Sequence, residues 1–410
     1  MPSLFRDWLF VALSVTTLVV AFLGTAEAPA VRVGAVTAVV ALLAIHLRLA
    51  FGGWRAWVQT VGGCFLLWAL GASSPLVAAA AAAGVVATVA AAGCARRACI
   101  VRAGALAGLA AAVVLMTPLL QALRPPFASL GADVMAAVGG GVVGSLLVLA
   151  LSPGIEWLFG HVTRLTLGEL LSYDHPLLRK LSTEAPGTFQ HAINVGVLAD
   201  AAAQAIGADA LMARAGSLYH DVGKTGAPEY FVENQTDRNP HDGLPPEESA
   251  RILKAHVTDG VELVLGHHLG ERVARFVREH HGTSLMRSLA QDSAGDADQF
   301  RYPGPRPQSR ETAVVMMADQ LEATARAERP PDAAASLRLV RETIARIADE
   351  SQLVESGLSP EELAALEPAF ARAIDAMYHR RMRYPRPQQR LRPARVAELA
   401  RSLRPRRAQR

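Results

Sequence analysis

Lysine is missing from a long opening stretch of this 410-residue chain, where the first one is Lys180. Cysteine is equally scarce. Cys64, Cys94 and Cys99 all lie in or beside the apolar N-terminal block, so neither a disulfide framework nor a Cys-based zinc site is implied. No Ser or Cys motif suggests a side-chain nucleophile. From Gly168 onward the strand signal is almost absent, and no internal repeat is visible. The formal net charge of +4 comes largely from a Pro- and Arg-rich tail, Arg381 to Arg410. Only one aromatic, Tyr384, stands among those arginines, so no nucleic acid polymer is expected, and the tail reads as a disordered or membrane-surface basic end.

What fills the first part of the chain is Ala, Val, Leu and Gly. Apolar spans stand at about 8–24, 33–50, 57–71, 74–93, 103–123 and 136–158, each near the ~17–25 residues needed to cross a bilayer. The span at 57–71 is short and that at 74–93 only mildly apolar, which leaves five to seven crossings open. Residues 1–28 also carry the parts of a signal peptide, with Arg6, an apolar run and Ala26-Glu27-Ala28, but the later spans make a membrane protein under either reading. All five Trp (Trp8, Trp54, Trp57, Trp68 and Trp157) sit near the ends of apolar runs, as an aromatic belt requires. Six crossings put both termini on one side together with Arg6, Arg48, Arg55, Arg96, Arg97 and Arg102, against Arg32 and Arg124 opposite. The positive-inside rule makes that side cytoplasmic.

The remainder is amphipathic and helical. Helices are expected at about 188–206, 210–221, 246–257, 259–269, 271–281, 310–328, 332–350 and 360–382. Thr188 opens the first and Gly207 closes it. Asp209 caps the second, and Ser359-Pro360-Glu361-Glu362 combines a capping box with Pro at the first helical position. Residues 291–310 read as loop. The expected division is a membrane domain at 1–160, a linker at 161–182, an all-helical cytoplasmic domain at 183–382 and the basic tail at 383–410.

Histidine is concentrated in that helical part: nine of the twelve lie between His175 and His281. The centre of the pattern is His220-Asp221-Val222-Gly223-Lys224. A neighbouring imidazole and carboxylate suit a divalent metal, and the carboxylate can bridge two metals where the imidazole cannot. Gly223 ends the helix and allows close approach of the backbone. His191 shares a helical face with Val195 and Leu198, and so looks toward a core. Asp319 follows Val315 and Met316 on an apolar face with no Lys or Arg in the preceding turn, so a metal is its natural partner. His256 and His280-His281 close two helices, and Gly282 supplies the helix end at which both neighbouring rings can reach one point. His267-His268 reads as surface, and His241 as loop.

The order His191, His220-Asp221, Asp319 resembles the HD phosphohydrolase superfamily, and His256 with His280-His281 resembles its binuclear branch. The stretches Thr188–His191, Asn239–Asp242, His280–Thr283 and Phe300–Pro305 resemble, more closely, the membrane-bound 7TM-receptor HD phosphodiesterases of the PgpH type. That resemblance covers about 170–328 closely and the membrane block loosely. It implies an all-α chain, a polytopic transmembrane bundle followed by a cytoplasmic HD domain, that hydrolyses cyclic di-AMP. It implies one metal on His191, His220, Asp221 and Asp319 and a second on Asp221, His256, His280 and His281, with manganese or iron the usual ions. Asp221 and Lys224 then carry the catalytic roles, Lys224 meeting a phosphate oxygen. Arg301 and Tyr302 are expected to contact the nucleotide. The partners so implied are the cyclic dinucleotide and the lipid bilayer, and a homodimer is compatible. Two departures stand out: the loop near Gly24–Val31 is too short for the family's extracytoplasmic domain, and Val222 replaces the usual Ile. The rival readings are a nucleotide-binding receptor without catalysis, a mononuclear nucleotidase needing only His191, His220-Asp221 and Asp319, and a cyclic di-GMP enzyme. The last would show Gly-Tyr-Pro where Gly282-Thr283-Ser284 stands.

Overall fold

The computed structural model describes residues 3–25, 28–51, 53–94, 96–121, 127–159, 162–236, 238–291 and 297–378. The basic tail at 383–410 and the last residues of the helix expected at 360–382 lie outside them. Six apolar helices come first: α1 (Ser3–Leu23), α2 (Pro29–Phe51), α3 (Gly53–Ala69), α4 (Ser74–Ala90), α5 (Arg97–Gln121) and α6 (Phe127–Phe159). They follow the six expected spans. Three described segments are long and apolar enough to cross a membrane, Pro29–Phe51, Arg97–Thr117 and Leu130–Glu156. Helix α2 packs against each of the other five. Its closest partner is α6, because a Cβ on Gly140 would lie 2.3 Å from the Gly34 carbonyl oxygen; only a bare backbone fits that crossing. Trp54, Trp57 and Trp68 are exposed on the outside of the bundle.

The scarce cysteines correct the sequence reading in one respect. Cys94, in the connection from α4 to α5, and Cys99, in the first turn of α5, face each other across 5.6 Å between Cα atoms and form a disulfide, while Cys64 is free. The two stand five positions apart in the chain, so the contact is a local one.

The remainder is helical, with no strand among the described residues. Two helices occupy what the sequence suggested was linker: α7 (Arg164–Leu170), capped by Thr163, and α8 (Pro176–Glu184). Then come α9 (Pro186–Ala205), α10 (Ala210–Tyr219), α11 (Pro246–Gly266), α12 (Glu271–Glu279), α13 (Arg287–Gln291), α14 (Arg310–Glu328), α15 (Ala333–Asp349) and α16 (Pro360–Tyr378). Helix α9 is the axis, with α8, α10, α14 and α16 packed on it, and its buried residues include His191, Val195, Leu198 and Ala202. Asp209 caps α10, accepting from the Met212 amide at 3.2 Å. Ser359 and Glu362 close a reciprocal capping box at 3.2 and 2.9 Å.

Three local expectations change. Thr188 does not open α9; it lies inside the first turn after Pro186, and its hydroxyl donates to Glu233 at 2.9 Å. The stretch expected as two helices around Asp259-Gly260 is one continuous helix, α11. Both that continuity and the role of Gly223 follow from one close approach. A Cβ on Gly223 would lie 1.9 Å from the His256 carbonyl oxygen, and Gly260 faces Gly223 across the same gap. Gly223 therefore serves the packing of the 222–226 turn onto α11, rather than access to a ligand.

Candidate metal centre

Five helices bring the His and Asp side chains to one buried point. His191 comes from the middle of α9, and His220 and Asp221 follow the end of α10. His256 lies in mid-α11, His280 and His281 follow α12, and Asp319 sits in α14. Two groups form: His191, His220 and Asp319, and beside them Asp221, His256, His280 and His281. Within the first, His191 Nε2 lies 2.9 Å from Asp319 Oδ1, and His220 Nε2 lies 3.7 Å from the same oxygen. Within the second, His256 Nε2 and His280 Nε2 each lie 3.4 Å from Asp221 Oδ1. The other oxygen of Asp221 turns to the first group, 3.2 Å from His220 Nε2 and 3.7 Å from His191 Nε2. One carboxylate thus faces both sets.

The pairing at 280–281 depends on where α12 stops. His280 is the residue after its last turn, and Gly282 takes φ +52°, a conformation that favours glycine. The two rings then stand 3.9 Å apart at their centroids. The ring of Tyr302 stacks on His281 at 4.1 Å.

Each buried imidazole is held by its other nitrogen. His191 Nδ1 meets Glu322 Oε2 at 2.6 Å, His220 Nδ1 the Ser217 carbonyl at 2.7 Å, and His280 Nδ1 the Val277 carbonyl at 2.8 Å. His256 Nδ1 meets the Leu253 carbonyl. A proton fixed on Nδ1 leaves Nε2 with its lone pair facing the centre, as a metal ligand requires. The centre itself is short of partners. His220 Nε2 and Asp221 Oδ1 are buried with no hydrogen bond among the described residues, and Asp221 Oδ2 has the Lys224 ammonium beside it at 2.7 Å. Buried polar atoms of that kind are rare unless a cation completes them. The donor set, nitrogens and carboxylate oxygens without sulfur, fits two divalent ions of the manganese, iron or zinc kind.

The electrostatics point the same way. Burial alone would lower His220, yet the carboxylates of Asp221 and Asp319 outweigh it and hold the imidazole up at about 10. Burial would raise both carboxyls, yet His220 with Lys224 holds Asp221, and His191 with His220 holds Asp319, well below the usual range. His256, by contrast, is pushed down by burial to about 3. The pocket therefore demands positive charge near the carboxylates, which a proton on His220 or a metal can supply.

Lys224 stands at the edge. Its Nζ lies 2.7 Å from Asp221 Oδ2 and 2.8 Å from Glu233 Oε1, with the side chain 11 % exposed. A cavity of about 470 Å³ opens there, lined by His191, Lys224, Glu233, His281 and Asp319 together with Arg287, Arg326 and Arg346. Arg301 does not line it. Its guanidinium reaches the Thr283 carbonyl at 3.2 Å and Asp298 at 3.1 Å, so it braces its own loop. His241 binds the Tyr230 carbonyl at 3.0 Å and His267 the Leu263 carbonyl at 2.9 Å, and neither belongs to the two groups. Glu322, Glu233 and Arg346 are the site residues the sequence reading missed. Glu322 was signalled, since it sits one turn after Asp319 on the same buried face.

Residues 188–324 match the HD domain, and residues 1–163 match the family of 7TM receptors with an intracellular HD hydrolase. The chain belongs to that membrane-bound HD family. It is 37% identical over 279 residues to a cyclic-di-AMP phosphodiesterase, PgpH, of Bacillus subtilis (strain 168), covering 67% of this chain and 39% of the relative. A protein of the same name from Listeria monocytogenes serotype 1/2a (strain 10403S) is 34% identical over 300 residues, covering 71% of this chain and 41% of the relative. This chain therefore spans about two fifths of the length of those curated relatives. Solved structures of the L. monocytogenes PgpH HD domain, one in complex with cyclic-di-AMP, are 35% identical. They cover 50% and 51% of this chain and 100% of their own, each with a TM-score of 0.49. The all-α fold, a membrane block followed by an HD domain, agrees with the two family matches.

Proposed function

We propose that this chain is a membrane-anchored, binuclear-metal phosphodiesterase that opens cyclic di-AMP to the linear dinucleotide. The observation that carries the proposal is the pair of ligand groups joined by Asp221, in a chain related to two cyclic-di-AMP phosphodiesterases. His191, His220, Asp221 and Asp319 would hold one ion, and Asp221, His256, His280 and His281 the other. Such ions supply Lewis acidity and an activated water for in-line displacement at phosphorus. The protein's own groups do the rest. Lys224 is positioned by Asp221 and Glu233 to meet a non-bridging oxygen of the scissile phosphate. Tyr302, stacked on His281, offers a ring face beside the site for a base. Arg346 makes no ion pair among the described residues and lines the same cavity, where it would supply the cation that the second phosphate of a cyclic dinucleotide needs. Arg326, 3.7 Å from Glu322, lines that cavity too.

By this reading residues 1–160 anchor the enzyme with six crossings, and 183–382 form the catalytic domain on the cytoplasmic side, where the arginine bias places both ends. The test is incubation of the full-length chain in detergent with Mn²⁺ and, separately, cyclic di-AMP, cyclic di-GMP and the linear diadenylate. Conversion of cyclic di-AMP to the linear dinucleotide is expected. Binding without turnover would instead mark a receptor, and turnover of mononucleotides alone a mononuclear nucleotidase.

A further inference from the structure

A second cavity, of about 360 Å³, shares no lining residue with the one at the His cluster and lies where the membrane bundle meets the HD domain. Four arginines line it. Arg48 ends α2, Arg55 opens α3, Arg164 opens α7 and Arg272 lies in the first turn of α12. Asp209 is the one acidic residue in that lining. The positive-inside bias accounts for Arg48 and Arg55 on this face of the bundle, but not for a cavity closed over them by arginines from two later helices.

Each arginine is placed differently. Arg272 ties the two parts together, its Nη1 donating to the carbonyls of Ala50 and Val162 at 3.3 Å each. Arg164 lies 3.6 Å from Asp209 Oδ1, but its buried Nε has no hydrogen-bond partner. Arg55 lies over the Phe51 and Trp54 rings, with 4.3 and 5.4 Å to the centroids, which sets the direction of its guanidinium. Arg48 has no ion pair or hydrogen bond among the described residues. The lining thus sets four guanidinium groups against the carboxylate of Asp209, with Glu311 beside Arg272 and the Asp209 amide, and leaves an unmet donor on Arg164. Like charges gathered in this way repel unless an anion joins them. Guanidinium forks select planar or tetrahedral oxyanions, with phosphate accepting from several at once.

We infer that this recess is a phosphate-binding site, formed by Arg48, Arg55, Arg164 and Arg272, that joins the membrane domain to the HD domain. Its position at the ends of α2 and α3 is the level of lipid headgroups, and the exposed Trp54 ring beside it suits that level. The same chemistry would accept a soluble phosphate compound from the cytoplasm. The inference is separate from the reaction at the His cluster, and its test reads binding rather than turnover.

The experiment uses the full-length chain in nanodiscs. One arm compares phosphatidylcholine bilayers with bilayers containing phosphatidylglycerol, and counts retained anionic lipid by native mass spectrometry. The other keeps neutral bilayers and titrates inorganic pyrophosphate while following the thermal midpoint. A saturable response in the first arm identifies a headgroup, and in the second a soluble phosphate. In Arg48→Gln/Arg164→Gln the responding arm weakens by roughly tenfold per arginine removed, while Arg48→Lys keeps part of the affinity. Should the double variant not melt cooperatively, Arg48→Gln alone decides, since Arg48 makes no contact whose loss would unfold the chain. No saturable response to either probe, or an equal response in wild type and Arg48→Gln, overturns the inference.

Discussion

His191 and Glu322 form the link on which the metal centre turns. The 2.6 Å contact of His191 Nδ1 with Glu322 Oε2 fixes the ring so that Nε2 faces Asp319 at 2.9 Å. Glu322 is fully buried and also accepts from Asn194 at 3.0 Å and Tyr378 at 3.2 Å, so α9, α14 and α16 converge on one carboxylate.

That convergence predicts a distinct phenotype for Glu322→Gln. The fold keeps a hydrogen-bonding group of the same size, but the charge that makes His191 a strong donor is gone. Metal affinity should fall about 10–100-fold, as for other partners of ligating histidines. Titration with Mn²⁺ followed by elemental analysis measures it, and activity should return when metal is raised to saturation. An activity loss that saturating metal does not restore would show that Glu322 acts otherwise.

Asp221 and His267 give a contrasting pair. Asp221 is the carboxylate whose two oxygens face different groups, so Asp221→Ala should remove both ions and all turnover. His267 is exposed and bound to its own helix, so His267→Ala should stay within about 0.5 kcal/mol of wild-type stability with activity unchanged. Metal counting and product analysis on both variants check this. Retained activity in Asp221→Ala with loss in His267→Ala would mean the ligand set is wrongly chosen.

How far these residues could be read from the sequence depended on what sets their direction. His191 and Asp319 sit in regular helices, where the spacing to Val195 and Leu198, or from Val315 and Met316, already aims them at a core. Glu322 obeys the same rule, one turn from Asp319, but a lone Glu in a charged segment carries no mark of its own. Glu233 and Arg301 lie in irregular backbone, where no period fixes a side chain. Glu233 accordingly went unseen, and Arg301 was assigned to the nucleotide although it turns to Thr283 and Asp298. Asp259-Gly260 read as a break because glycine weakens helices; its real use is contact with Gly223, a partner distant in sequence.

Gly223→Ala tests that contact. The new methyl would lie 1.9 Å from the His256 carbonyl oxygen, in a backbone that cannot yield without moving α11. The HD domain should lose about 3 kcal/mol or more, as severe overpacking does, and His256 should move off the site. Thermal melts of the full chain with and without Mn²⁺ report both effects. An unchanged melt would show that α11 slides freely over the 222–226 turn.

Lys224 and Arg346 separate chemistry from binding. Lys224, held between Asp221 and Glu233, reaches the cavity from the metal side, so Lys224→Ala should keep metal and lose about 10²–10³-fold in kcat. Arg346 lines the same cavity, and its removal should act on substrate binding. Arg346→Ala should raise KM for cyclic di-AMP by roughly tenfold, the loss of one charge-assisted contact, with kcat little changed. Steady-state kinetics on cyclic di-AMP distinguish the two residues. A fall in kcat in Arg346→Ala, with KM untouched, would place the second phosphate elsewhere and assign Arg346 to the transition state.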